Sequence, residues 1–133
     1  MTVPTMIDTH AHLDMPEFDA DRAGVIARAK GAGVETIVSV GTDLESSKKA
    51  IALAEEYPWV FATVGFHPHE AVLMKETDIA LLAELTKRPK VVAIGELGLD
   101  YYRNHAPREV QVQALRWQLG LAEKLGLPVV IHC

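Results

Sequence analysis

The sequence predicts an α/β protein built on a parallel sheet, and three observations predict it. Five short apolar runs rich in β-branched residues alternate with four stretches of helical character along the 133 residues. The runs are continuous rather than alternating, the pattern of strands buried on both faces. They end near positions 9, 40, 65, 95 and 132, a step of about 30 residues that suits one βα unit.

The first run, Met6 to Thr9, leads into His10. A helix is expected from Ala20 to about Gly31, with Val25, Ile26 and Ala29 on one face. The second run spans Glu35 to Val40. The helix after it places Ala50, Leu53, Ala54 and Tyr57 at helical spacing, with a Thr42-Asp43 start and a stop at Pro58. Val60 to Val64 form the third run, followed by a helix around Ile79, Leu82 and Ala83 that Thr77 or Asp78 would cap. Val91 to Ile94 form the fourth. The longest helix carries Leu115, Leu119, Ala122 and Leu125 as its apolar stripe and ends at Gly126, and Pro128 to Ile131 open a fifth strand.

Two architectures fit this order. By length, five parallel strands suggest a doubly wound open sheet. A (βα)8 barrel uses about 250 residues, so the chain would supply only strands 1–5 and helices 1–4 of one. The stop directly after a strand, with no helix to cover that edge, favours part of a barrel.

A hydrophobic content of 49% with 23% charged residues is ordinary globular composition. No apolar run approaches the roughly 20 residues of a membrane helix, and the start lacks the pattern of a secretory leader. The single cysteine, Cys133, allows no internal disulfide, so a cytoplasmic setting is expected. The net charge of −5 argues against holding DNA by bulk phosphate neutralisation, though not against gripping one strand end locally.

The chemistry sits at the strand ends. His10 and His12 flank Ala11, and a period of two sends both imidazoles to the same side, where they can share a cation at roughly 2.0–2.2 Å. Glu96 follows the fourth run, and a carboxylate there is costly to bury without a partner. His132 ends the fifth. Any one of these is as well explained by an ion pair or a satisfied histidine. Together they lie at the carboxyl ends of three parallel strands, the active face of barrels and open sheets alike, and a single metal site accounts for all four. His67-Pro68-His69 sits on the loop leaving the third strand, facing substrate or supporting the site. His105 reads as a loop residue. Walker, dinucleotide-binding and nucleophile-elbow motifs are absent from the sequence.

Four segments in order, Ile7-Asp8-Thr9-His10-Ala11-His12-Leu13-Asp14, Gly65-Phe66-His67-Pro68-His69, Gly95-Glu96-Leu97-Gly98-Leu99-Asp100-Tyr101-Tyr102 and Leu127-Pro128-Val129-Val130-Ile131-His132, closely resemble the TatD family of metal-dependent deoxyribonucleases. That resemblance implies a barrel of the amidohydrolase type, with residues 1–133 as the N-terminal part of one domain. It implies two divalent ions (Mg2+, Mn2+ or Zn2+), with His10 and His12 on one, Glu96 bridging and His132 on the other, and Glu96 and His132 as the catalytic pair. His67 and His69 match the loop near the scissile phosphate. A further histidine and an aspartate that the family draws from later strands have no counterpart here.

The expected reaction is cleavage of DNA phosphodiesters from strand ends by metal-activated water; an amide or ester hydrolase with the same ligands is the alternative. Arg103 is expected to grip phosphate, and Tyr101, Tyr102 or Phe66 to stack on a base. A third expectation is a catalytically incomplete half-barrel whose free edge invites self-association.

Overall fold

A computed structural model describes residues 4–133, so the reading of a leader-free start at Met1, Thr2 and Val3 lies outside the described residues. Its strands are β1 (Met6–Ala11), β2 (Val34–Val40), β3 (Val60–Val64), β4 (Val91–Gly98) and β5 (Val129–His132). Between them run α1 (Arg22–Gly31), α2 (Leu44–Glu56), α3 (Asp78–Leu85) and α4 (Arg108–Leu125), with 3-10 turns at Pro16–Phe18 and Pro68–Leu73. Among the described residues no helix is long and apolar enough to cross a membrane.

All strand pairs are parallel, and their order in the sheet is their order in the sequence. A doubly wound sheet must reverse direction once. Here every crossover steps the same way, and right-handed crossovers then lay all the helices on one face. This is the first half of a (βα)8 barrel, not a doubly wound sheet.

The core lies between the helices and the middle strands. Val60, Val64 and Ile94 have no exposure and share one cluster with Ile26, Ala50, Ala54 and Leu82. Two helix ends follow the sequence closely. Asp43 Oδ1 accepts from the Ser46 amide at 2.7 Å as the α2 cap, and Gly126 closes α4 in the left-handed conformation (φ 66°) that a glycine adopts without strain. Lys90 Nζ donates to the carbonyls of Ala54, Tyr57 and Pro58, which ends α2.

Other expectations are corrected. Helix α1 starts at Arg22, not Ala20, because the Arg22 guanidinium is drawn back to the Leu13, Asp14 and Met15 carbonyls. Thr77 makes no capping bond; Asp78 Oδ2 instead accepts from the Lys75 amide at 2.8 Å. The buried face of α4 is Gln111, Ala114, Gln118, Leu121 and Ala122, while Leu119 and Leu125 are exposed. Two glutamines with main-chain partners took the place that hydrophobicity assigned to leucines.

Candidate metal centre

Strand β4 runs three residues past Gly95, so Glu96 sits within the sheet rather than beyond it. Gly95 makes this possible: its φ is +151°, and a Cβ there would lie 2.6 Å from the Val130 carbonyl oxygen of β5. The Glu96 amide donates to the Gly41 carbonyl at 2.8 Å, and the residue is 4% exposed.

Its two carboxylate oxygens face different histidines. Oε1 lies 3.0 Å from His10 Nε2 and 3.4 Å from His12 Nε2, both on the β1 side. Oε2 lies 2.9 Å from His132 Nδ1 on β5 and 3.7 Å from His67 Nε2. Beyond His132 the network continues, since its Nε2 is 3.0 Å from Asp100 Oδ2 and His69 Nε2 is 2.7 Å from the same oxygen.

The hydrogen-bond partners fix much of the proton arrangement. The Val40 carbonyl can only accept, so His12 Nδ1, 2.9 Å away, carries a hydrogen. In the neutral ring, Nε2 then turns a bare lone pair toward Glu96. The His69 amide can only donate, so His67 Nδ1, 3.0 Å away, is an acceptor. Neutral His67 therefore carries its hydrogen on Nε2, whereas the bare His12 Nε2 against the Glu96 carboxylate is a contact that only a proton or a cation makes favourable.

The donor set passes the same test. His10, His12 and Glu96 offer ligand atoms within 4.8 Å of one another, as do His67, Glu96 and His132. Ligands of one tetrahedral ion lie roughly 3.4 Å apart, so these groups match imidazole and carboxylate ligation without large movement.

The electrostatics are consistent with this. Burial pushes Glu96 upward, but the hydrogen bond with His12, the fields of His67 and His10 and the bond with His132 outweigh it and hold the carboxyl down at about 2. His12 is raised, chiefly by its bond with Glu96. His67 falls to about 4 because burial disfavours its cation, so it is neutral at pH 7. Asp100 is held well below the usual carboxylate range by the Arg103 amide and then by His69.

Thus His10, His12, His67, His69, Glu96 and His132 meet in one network. Tyr101 and Arg103 stand beside it on the loop after β4, lining a cleft of about 230 Å³ with Asp100 and His132. Tyr102 is almost fully exposed. Phe66 is not a stacking platform, being buried at 3% exposure in the core. Asp100 is the residue whose role sequence reasoning missed. Its available signal was a second carboxylate four residues beyond Glu96, but its meeting with His69 and His132 depends on how two loops fold. The His105 ring, expected in an unengaged loop, packs edge-on against His69 at 4.4 Å.

The chain is 44% identical over 127 residues to an uncharacterized metal-dependent hydrolase, YabD, of Bacillus subtilis, spanning 96% of this chain and 50% of that protein. It is 43% identical over 128 residues to the 3'-5' ssDNA/RNA exonuclease TatD of Cronobacter turicensis, covering 96% and 49%. The crystal structure of YJJV, a TatD homolog from Escherichia coli, superposes with a TM-score of 0.87 at 37% identity, over 96% of this chain and 50% of that one. The chain therefore spans about half the length of the relatives it matches. The profile of TatD related DNases matches residues 7–133. The chain belongs to the TatD related DNase family.

Proposed function

We propose that this chain supplies the first half of a two-metal centre that hydrolyses phosphodiester bonds in DNA, working inward from a strand end. The observation that carries the reading is Glu96, whose two oxygens face separate histidine sets, His10 with His12 and His132 with His67. In this reading His10 and His12 would hold one ion and His132 the other, with Glu96 offering one carboxylate oxygen to each set. Divalent ions held there lower the pKa of water and stabilise charge on the attacking and leaving oxygens of a phosphodiester.

The chain's own groups do the rest. The buried Glu96 carboxylate, held down at about 2, is ionised at pH 7, and neutral His67, whose Nδ1 accepts from the His69 amide, presents an Nε2 N–H. Asp100 orients His132 from behind, as carboxylates behind ligating histidines do. Arg103, exposed at the rim, offers a bidentate grip on phosphate, and Tyr101 and Tyr102 offer faces for a terminal base. His67 and His69 face the scissile group. The further ligands that the family takes from later strands would come from protein covering the β1 and β5 edges, and the single cysteine suits a cytoplasmic setting.

Calorimetric titration of the chain with Mn2+, Mg2+ and Zn2+, alongside hydrolysis of end-labelled single-stranded DNA and of ester and amide controls, tests the reading. Glu96→Gln is expected to lower metal affinity on the order of 100-fold. Metal binding that ignores this substitution, or cleavage of ester in preference to DNA, would remove the proposal.

A further inference from the structure

Two buried glutamines of α4 have no part in the reading above, and each has the same unusual set of partners. Gln118 Oε1 accepts from the Phe66 amide at 2.8 Å, while its Nε2 donates to the Phe66 carbonyl at 3.1 Å. Gln111 Oε1 accepts from the Asp100 amide at 2.7 Å, and its Nε2 donates to the Asp100 carbonyl at 3.2 Å. Both are 1% exposed. Each side chain thus grips the N–H and the C=O of one residue, as a neighbouring strand would, at a point where the chain has left the sheet.

Spare amide hydrogens are also used: Gln118 Nε2 reaches the Ala114 carbonyl and Gln111 Nε2 the Ala106 carbonyl. Room is reserved for the grip as well. A Cβ on Gly65 would lie 2.8 Å from Gln118 Oε1. The two glutamines are seven residues apart, two turns along one face of α4, so a single rigid helix fixes both loops at a set separation.

Those loops carry His67-Pro68-His69 and Asp100, which meet across the gap at 2.7 Å between His69 Nε2 and Asp100 Oδ2. We propose that Gln111 and Gln118 are positioning residues, which hold His69 against Asp100, and through Asp100 orient His132, by clamping the main chain of both loops to α4. The proposal rests on the reading of these loops as part of the metal and substrate site. It differs from simple core packing in one respect: keeping the side-chain volume while removing the hydrogen bonds should release the His69–Asp100 contact.

The test compares the wild-type chain with Gln111→Met and Gln118→Met by NMR. Amide exchange of Phe66 should speed up about tenfold in Gln118→Met, and that of Asp100 in Gln111→Met, with the β2 and β3 amides unchanged. In both variants the His69 imidazole nitrogen and ring-proton signals should move away from their wild-type positions, although neither substitution touches His69. Faster exchange with His69 signals unchanged would show that each bond is only local structure, and overturn the proposal; so would unchanged exchange. Should the methionine variants fail to fold, Gln111→Glu and Gln118→Glu keep the acceptor and lose the donor, and the same His69 shift is expected of them. A wild-type chain that binds no metal and cleaves no DNA would end the functional reading while leaving the His69 measurement to decide the clamp.

Discussion

In β3 and β4, Val60, Val64 and Ile94 have no exposed surface, whereas Ile7 on β1 is 64% exposed and Ile131 on β5 is 60% exposed. All of these side chains belong to apolar parallel strands, and their sequences do not distinguish them. Position in the sheet does, because a middle strand is covered by neighbours on both sides and an edge strand by one. Yet three of the four proposed ligands, His10, His12 and His132, lie on or immediately beyond the edge strands, and only Glu96 lies on a middle one. Stability is concentrated in the centre and chemistry at the margins, with Glu96 joining the two.

Substituting the centre should do the most damage. Ile94→Ala is expected to destabilise the chain by about 2–5 kcal/mol in urea unfolding, since it empties a fully buried position. A loss below 1 kcal/mol would mean that the central strands are no better packed than the edges. Asp100→Asn comes next, with metal affinity falling on the order of tenfold by calorimetry as His132 loses its orienting charge. If that variant binds metal like the wild type, the β5 ligand is held by its own strand alone.

Acid should act on the centre of the network before the rest. His67 titrates at about 4 in the fold and at 6.5 ordinarily, so the unfolded chain takes up the proton first as pH falls. Stability present above pH 6.5 is therefore lost down to about pH 4, and Glu96, held at about 2 against an ordinary 4.5, extends the loss below pH 4.5. His12, raised by Glu96, acts in the opposite direction over this range, so the His67 contribution is read as a difference: urea midpoints of the metal-free wild-type chain should fall more, or rise less, between pH 7 and pH 4 than those of His67→Asn. A profile that His67→Asn leaves unchanged contradicts the burial argument. The smallest effect is Ile131→Ala, about 0.5 kcal/mol or less in the same unfolding assay; a change comparable with Ile94→Ala would show that the β5 edge is covered in solution.

Much of the centre was legible because burial on both faces leaves a plain mark, a continuous apolar run, and caps such as Asp43 and Gly126 act through neighbours in sequence. The residues that cluster at the strand ends were legible for a similar reason: His10, His12, Glu96 and His132 are polar side chains directly after apolar runs. What escaped depends on contacts remote in sequence. Gln111 and Gln118 had no place in the apolar stripe expected of α4, because hydropathy ignores a main-chain partner many residues away. Phe66 looked available for stacking because nothing local says which way a loop aromatic turns. Asp100 acquires its partners only when the β4 and β3 loops converge. The end of β4 was misplaced because Gly95 and Gly98 resemble turn residues, whereas they let β5 approach closely.

Sequential pairing of the strands also governs how the chain assembles. Each strand pairs with the one before it, about 30 residues back, so no pairing has to bridge the length of the chain, and folding can advance unit by unit as the polypeptide emerges. His10 and His12 are in place from the first pairing, Glu96 enters with the fourth strand, and His132 only with the fifth. The cluster around Glu96 is therefore assembled only when β5 pairs with β4, and its appearance would report that all five strands have docked.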